Sequence, residues 1–293
     1  MTPNRRADLI LILATLLASA GWVFSKESIQ GLAPFQFVGL RFVLAALCLL
    51  PFCYADIKAL SKSNLLKTLG VGCLLASSQL LWIYAISVSD GLSEGAFIMS
   101  LAMLFVPLVG WPLFKIAPPR IFWLSLPIAI VGLMLLSLSN GWQQSTSQVW
   151  FILSAVMLAI HFNFNSRSAQ KISPLSLTCI QLFVTGFIGL SISINTEVWP
   201  QQVSSDIWIW FAMSVLIATS LRYLMQTLGQ KHSVAANAAI IMVLEPIWTV
   251  ILSIMWYDEP MPLNKILGCL LIFSSLLIYR RGTTINNLKV IKK

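Results

Sequence analysis

Residues 92–114 read LSEGAFIMSLAMLFVPLVGWPLF, and residues 233–256 read SVAANAAIIMVLEPIWTVILSIMW. Past Glu94 the first stretch carries no charge, over the ~20 residues a helix needs to cross a bilayer. The second is one residue longer and has one charge, Glu245, in its middle. The two also share landmarks. Ala96 and Pro107 recur as Ala235 and Pro246 at one offset of 139 residues. Each stretch reads as a membrane-spanning helix, and their likeness suggests that the chain was built twice.

Outward from these stretches, the whole chain has the same character. It is 58% hydrophobic and 10% charged, whereas a soluble domain carries about 25% charged residues. Similar runs fill the sequence, and we place ten spans at 8–28, 34–54, 65–87, 92–114, 121–139, 148–167, 174–195, 207–230, 233–256 and 263–281. Turn signals separate them: Gly31 with Pro34, Ser61 to Asn64, Asp90-Gly91, Pro118-Pro119, Asn140-Gly141, Pro174, and Pro260 with Pro262. The run Leu9 to Phe24 lacks a clean small-residue cleavage site and is followed at once by another span, so it reads as retained and not as a signal peptide. Eleven tryptophans suit membrane interfaces.

The net charge of +9 does not point to nucleic acid, because the basic residues sit singly or in pairs between apolar runs and form no patch. It points to orientation. Fifteen of the 19 lysines and arginines fall on one set of alternate segments, among them Arg5, Lys62, Lys115, Lys171 and Arg281. The opposite set holds Lys26 and Lys265 beside Glu27, Asp90, Glu197, Asp206, Asp258 and Glu259. By the positive-inside rule both termini face the cytoplasm of a bacterial-type inner (plasma) membrane. The cysteines, Cys48, Cys53, Cys73, Cys179 and Cys269, are scattered through apolar runs with no CxxC or Cys/His spacing, which supports neither a disulfide framework nor a zinc site.

Tyr84 recurs as Tyr223 at the same offset, and Pro34 as Pro174 with a shift of one. Five spans per half send the second half into the membrane from the opposite side. The expected fold is therefore an all-α integral membrane protein of ten transmembrane helices in two inverted five-helix repeats, 1–142 and 143–282, with a basic cytoplasmic tail at 283–293. In such proteins the substrate site lies near the midplane between the halves.

Phe24-Ser25-Lys26, Arg41-Phe42, Tyr84-Ala85, Ala96 with Pro107, Glu245-Pro246, Glu259-Pro260 and Gly268 stand in an order that resembles the EamA-type transporters of the drug/metabolite transporter superfamily. The resemblance covers nearly the whole chain. It implies ten helices, a central cavity between the halves, and export or exchange of small metabolites, often amino acids. The chain departs from that pattern at Ala18-Ser19, where a Trp-Gly pair is common, and at Ile116-Ala117-Pro118, where Gly-Glu is expected.

Ionisable groups inside a span cost at least ~2.5–3.5 kcal/mol near its centre on insertion scales. Lys26, Arg41, Arg222 and Glu245 are such groups, and the last three meet Gln181, Ile83 and Val106 in the other half, none of them charged. Arg41 with Lys26 is placed to grip a substrate carboxylate; the alternative is snorkelling to headgroups or bonding to backbone carbonyls. Thr219, Arg222, Tyr223, Gln226 and Gln230 form a polar stripe on one face of the eighth span. Spacing puts Arg222 within reach of Glu245, which is either a proton or substrate-amine site or a structural partner beside a proline kink. Ser154, His161, Asn165 and Ser168 share a face of the sixth span, where His161 either joins a proton relay or is simply hydrogen-bonded. Trp22, Trp82, Phe97 and Trp248 either line a cavity or pack and anchor the helices.

The chain has no HExxH, GxSxG, Walker loop or dinucleotide turn, and two histidines in all. The sequence thus reads as a non-enzymatic secondary transporter without cofactor or bound metal, its partners being a small-molecule substrate, the lipid bilayer, a coupling proton and a second copy of the chain in a homodimer. The substrate-binding set is Lys26, Arg41, Trp82, Phe97, His161, Asn165, Arg222, Tyr223, Gln226, Glu245 and Trp248. A membrane-embedded enzyme or a receptor with a polar core is the rival reading.

Overall fold

The computed structural model describes residues 3–88, 93–137, 145–257 and 262–291, and every regular element among them is helical. In order these are α1 (Pro3–Ser28), α2 (Pro34–Lys58), α3 (Lys62–Ser87), α4 (Ser93–Phe114), α5 (Arg120–Ser137), α6 (Ser147–Ala169) and α7 (Pro174–Thr196). There follow α8 (Ser205–Val215), a π-helical turn (Leu216–Leu221), α9 (Arg222–Lys231), α10 (Ala235–Met242), α11 (Glu245–Tyr257) and α12 (Leu263–Ile291). Eight stretches are long and apolar enough to cross a membrane, counting Ser205–Lys231 and Ala235–Trp256 as one stretch each. Two shorter apolar helices, Arg120–Leu135 and Leu263–Tyr279, complete the bundle. The turn signals at Asp90-Gly91, Asn140-Gly141 and Pro260, and the acids Asp258 and Glu259, lie outside the described residues.

Side chains such as Leu13, Leu47, Phe52, Leu66 and Leu124 point outward and are exposed. In water that pattern would be untenable, and in lipid it is the expected outer surface of a multi-pass bundle. Helix starts follow local chemistry. Pro34 and Pro174 each occupy a first helical position, where the missing N–H is no loss. Ser61 caps α3 by accepting from the Asn64 N–H at 3.3 Å.

The α2 cap comes from far along the chain. The Glu197 carboxylate, just beyond α7, accepts from the Phe35 and Gln36 N–H groups at 2.8 Å each. It also accepts from the Ser193 hydroxyl at 2.7 Å. A carboxylate at the positive end of a helix is doubly favoured, by hydrogen bonding and by the helix dipole. Glu197→Ala should therefore lower stability by about 1–2 kcal/mol. Thermal unfolding in detergent checks this, and an unchanged midpoint would show that the cap contributes nothing.

Small residues set the closest helix crossings. α2 lies on α7 through Gly39, Gly186 and Gly189; a Cβ on Gly189 would sit 3.1 Å from the Gly39 Cα. α5 lies on α12 through Gly132, whose Cβ would come 3.0 Å from the Gly268 carbonyl oxygen. α3 and α6 are clasped by a reciprocal pair: the Ser78 hydroxyl donates to the Ser154 carbonyl at 3.1 Å, and the Ser154 hydroxyl to the Ser78 carbonyl at 2.8 Å. α1 packs on α8, the π turn, α9, α10 and α11, whereas α6 packs mainly on α3 and α4.

Three features depart from simple straight spans. The stretch 233–256 is two helices, with Val243 and Leu244 unwound between α10 and α11. Pro246 lacks the N–H that would bond the Met242 carbonyl, and its ring would clash there, so the helix breaks. The eighth span contains the π turn, where the Thr219 and Ser220 hydroxyls donate to the carbonyls of Ser214 and Val215, five residues back, at 2.8 and 2.9 Å. Side-chain bonds of that kind compete with the regular ladder. Finally, the segment expected to leave the last span as a tail continues α12 to Ile291.

Candidate functional site

A cavity of about 340 Å³ opens in the bundle, lined from α1 by Ala18, Gly21, Trp22 and Ser25, and from α2 by Arg41 and Phe42. Gln79 and Trp82 of α3 and Met99, Ser100 and Met103 of α4 form one wall, with Leu158 from α6. The opposite wall is Ala218, Arg222, Tyr223, Met242, Val243, Glu245, Pro246, Thr249 and Val250, with Lys265 of α12. Its size is at the small end of the ~300–1,000 Å³ typical of small-molecule sites, and its lining is mostly apolar with a few converging polar groups. The irregular segments matter here. Both the π turn and the α10–α11 break lie on the cavity wall, as do many π turns and broken helices at functional sites.

Opposite charges approach each other on one wall of the cavity. The Arg222 Nη2 stands 3.9 Å from the Glu245 Oε2, both side chains being partly exposed to the cavity. Glu245 is the first residue of α11, where the helix N-terminus favours an anionic group. Its Oε1 accepts from the Trp22 indole N–H at 3.2 Å. The Arg222 guanidinium lies 4.2 Å from the Tyr223 ring centroid, and its buried Nε has no hydrogen-bond partner.

Arg41 is held differently. Its Nε donates to the Thr219 hydroxyl, its Nη1 to the Ser25 hydroxyl at 2.9 Å, and its Nη2 to the Ala218 carbonyl at 3.4 Å. Phe37 and Phe42 flank it, with centroids 5.4 and 5.9 Å from the guanidinium carbon. One side chain thus ties α1, α2 and the π turn together.

The structure brings Arg41, Trp82, Arg222, Tyr223 and Glu245 of the expected set to the cavity. The remaining six are not on its lining. Lys26 is exposed at the last turn of α1. Phe97 is buried in the core beside α4 neighbours. The His161 Nε2 shares a 2.8 Å hydrogen bond with the Gln181 Oε1 between α6 and α7. The Asn165 amide donates to the Gln230 side chain and to the Thr227 hydroxyl, joining α6 to α9. Gln226 is buried, and the Trp248 indole donates to the Thr15 hydroxyl at 3.0 Å. Sequence reasoning passed over Gln79, Ser100, Thr249 and Lys265, all on the lining. Gln79 had a visible signal, as a lone amide one turn before Trp82 in an apolar run. Among the described residues no group of three or more His, Cys, Asp or Glu could hold a metal ion.

An apolar helical bundle enclosing a small cavity with buried opposite charges has the architecture of a multi-pass membrane transporter. The comparisons agree. The model of the EamA-like transporter family matches residues 5–138 and again residues 145–281, and the chain belongs to that family. An uncharacterized transporter of Archaeoglobus fulgidus is 21% identical over 93% of this chain and 85% of its own length. A second from that organism is 22% identical, over 94% and 96% respectively. One from Synechocystis sp. is 27% identical over 64% of this chain and 59% of its own. A crystal structure of a protein superposes with a TM-score of 0.80 at 15% identity, over 94% of this chain and 96% of that one, which is a likeness of fold.

Proposed function

We propose that the protein is a secondary carrier of amino acids or related small compounds, working by alternating access as an exporter in a bacterial-type inner membrane. The observation that carries this reading is the cavity itself, with the Arg222–Glu245 pair on one wall and Trp22, Trp82 and three methionines around it. Oppositely charged groups beside an apolar wall suit a small molecule that has both polar ends and an apolar body.

Ten spans in two inverted repeats remain our reading of the architecture. Two matches to one family model, over residues 5–138 and 145–281, support it. So does the packing, which is reciprocal: α1 lies on the third and fourth spans of the other half, and α6 on the third and fourth spans of the first. Equivalent helices also pair, α2 with α7 and α5 with α12. The two shorter apolar stretches, Arg120–Leu135 and Leu263–Tyr279, belong to the partners α5 and α12.

Part of the lining, at the ends of α1 and α3 and the starts of α2, α4 and α12, lies on the side that the charge bias puts outside, and the rest, such as Leu158, Arg222 and Met242, lies mid-span. On that orientation we read this form as outward-facing. A coupling proton and a homodimer belong to the same proposal.

Purified protein in liposomes tests it. Saturable counterflow of a labelled amino acid is expected from the protein alone. Its absence with a broad amino-acid panel would overturn the substrate class, and product formation in the same vesicles would favour an enzyme. Reporter fusions at both ends of the chain should report the cytoplasm; a C-terminal reporter outside would break the ten-span count.

A further inference from the structure

We infer that the substrate enters between Arg222 and Glu245, its anionic group on the guanidinium and its cationic group on the carboxylate, while Arg41 is a positioning residue that touches neither. The inference rests on the carrier reading above and says how that site holds its substrate.

The two arginines on the cavity wall are in opposite conditions. Each nitrogen of Arg41 already has an acceptor. Arg222 has none: its Nε is buried without a partner, and among the described residues its guanidinium makes no hydrogen bond. A guanidinium offers five N–H donors. Leaving such donors unmet in a membrane interior is costly. The Glu245 Oε2 is 3.9 Å away, beyond the ~3.2 Å of a good N–H···O bond. Glu245 is correspondingly under-used, because its other oxygen takes the indole N–H of Trp22 and, among the described residues, the facing one has no hydrogen bond. A loose pair of this kind attracts without saturating either partner.

Charge balance then selects the ligand. A zwitterion inserted into the pair gives Arg222 an anion and Glu245 a cation, so the pair keeps its own charge balance. A simple anion would take Arg222 and strand Glu245; a simple cation would do the reverse. Breaking a buried pair from one side is strongly unfavourable because it leaves an uncompensated charge. The apolar part of the ligand would meet Trp22 and Trp82, edge to face at 5.9 Å, and the methionines Met99, Met103 and Met242. Methionine adapts to varied shapes, so the class is zwitterions with apolar bodies and not one body alone.

The experiment is binding to the purified full chain, followed by calorimetry or ligand-induced thermal shift, with three probes of one shape. These are L-phenylalanine (zwitterion), its methyl ester (cation) and 3-phenylpropionate (anion), with L-leucine as a second zwitterion. The wild type should bind the zwitterions at least tenfold more tightly than either singly charged analogue. Glu245→Gln, nearly isosteric, should reverse the order in favour of 3-phenylpropionate, and Arg222→Gln in favour of the ester. Arg222→Lys, should Arg222→Gln fail to fold, keeps the charge and loses the fork, so affinity should fall while the order of the analogues stays. A loss of fold alone would not reorder ligands. Zwitterion binding whose ranking is unchanged by Glu245→Gln and by the Arg222 variants would overturn the pair-splitting inference and leave the carrier reading standing. No binding of either zwitterion by the wild type would overturn both.

Discussion

Gly186→Ala should leave little folded protein, although it adds one methyl group. The new Cβ would sit 2.7 Å from the Val43 Cγ2 and 2.8 Å from the Gly39 carbonyl oxygen, and closer still to the Val43 backbone nitrogen. Side chains can rotate away from such contacts. Backbone atoms in the middle of a helix cannot, so α2 and α7 would have to separate along their whole crossing. That would open the gap between Gly189 and Gly39 and disturb the neighbouring contact of Gly72 with Val184. Ordinary overpacking costs about 1–3 kcal/mol, and a backbone clash at this crossing should exceed that range. The measurement is the yield of monodisperse protein in detergent together with its unfolding midpoint. Gly70→Ala is the control. Nothing lies within 4 Å of a Cβ there, and replacing a mid-helix glycine should stabilise by up to about 1 kcal/mol. If Gly186→Ala melts like Gly70→Ala, the glycine crossing does not hold the bundle together.

That crossing shows what sequence could and could not reveal. Spans are legible because lipid offers no partner to a free N–H or C=O, so every crossing segment must be a long apolar helix. The helix starts at Pro34 and Pro174 were legible for a local reason as well, and both are observed. The Arg222–Glu245 approach followed from counting residues from one end of two adjacent spans, and it is seen at 3.9 Å. Partners distant in the chain were not readable this way. Glu197 caps a helix that begins 163 residues earlier, at Pro34, and composition gives no hint of it.

Equivalent prolines also behave differently in the two halves. Pro107 sits inside a continuous α4, while Pro246 accompanies a broken helix. Near Pro107 the Asn163 amide of α6 donates to the Val106 carbonyl at 2.8 Å, with Gly110 making room for it. That bond ties α4 to α6 beside the proline. The difference is tertiary, so no local reading separates the two prolines. The π turn is hidden for the same reason, since Thr219 both bonds back to Ser214 and accepts from Arg41 of another helix.

Arg41→Ala should lower stability by about 2–3 kcal/mol and abolish counterflow, because it removes charge-assisted hydrogen bonds that join three segments of the cavity wall. Sequence alone suggested a carboxylate clamp at this position, and both ideas predict lost transport, so activity by itself does not separate them. Coupling does. If Arg41 holds the π turn, then Thr219→Val removes one end of the same bond, and the two substitutions should be strongly non-additive. A double-mutant cycle on unfolding midpoints should return an interaction of at least about 1 kcal/mol. Arg41→Lys should recover little, because one ammonium on a flexible stem cannot reach the Thr219 hydroxyl, the Ser25 hydroxyl and the Ala218 carbonyl together. A clamp predicts the opposite pattern: near-normal stability in Arg41→Ala, simple additivity with Thr219→Val, and weaker binding of carboxylates. That result would return Arg41 to the substrate and leave Arg222 without the ligand its unmet donors require.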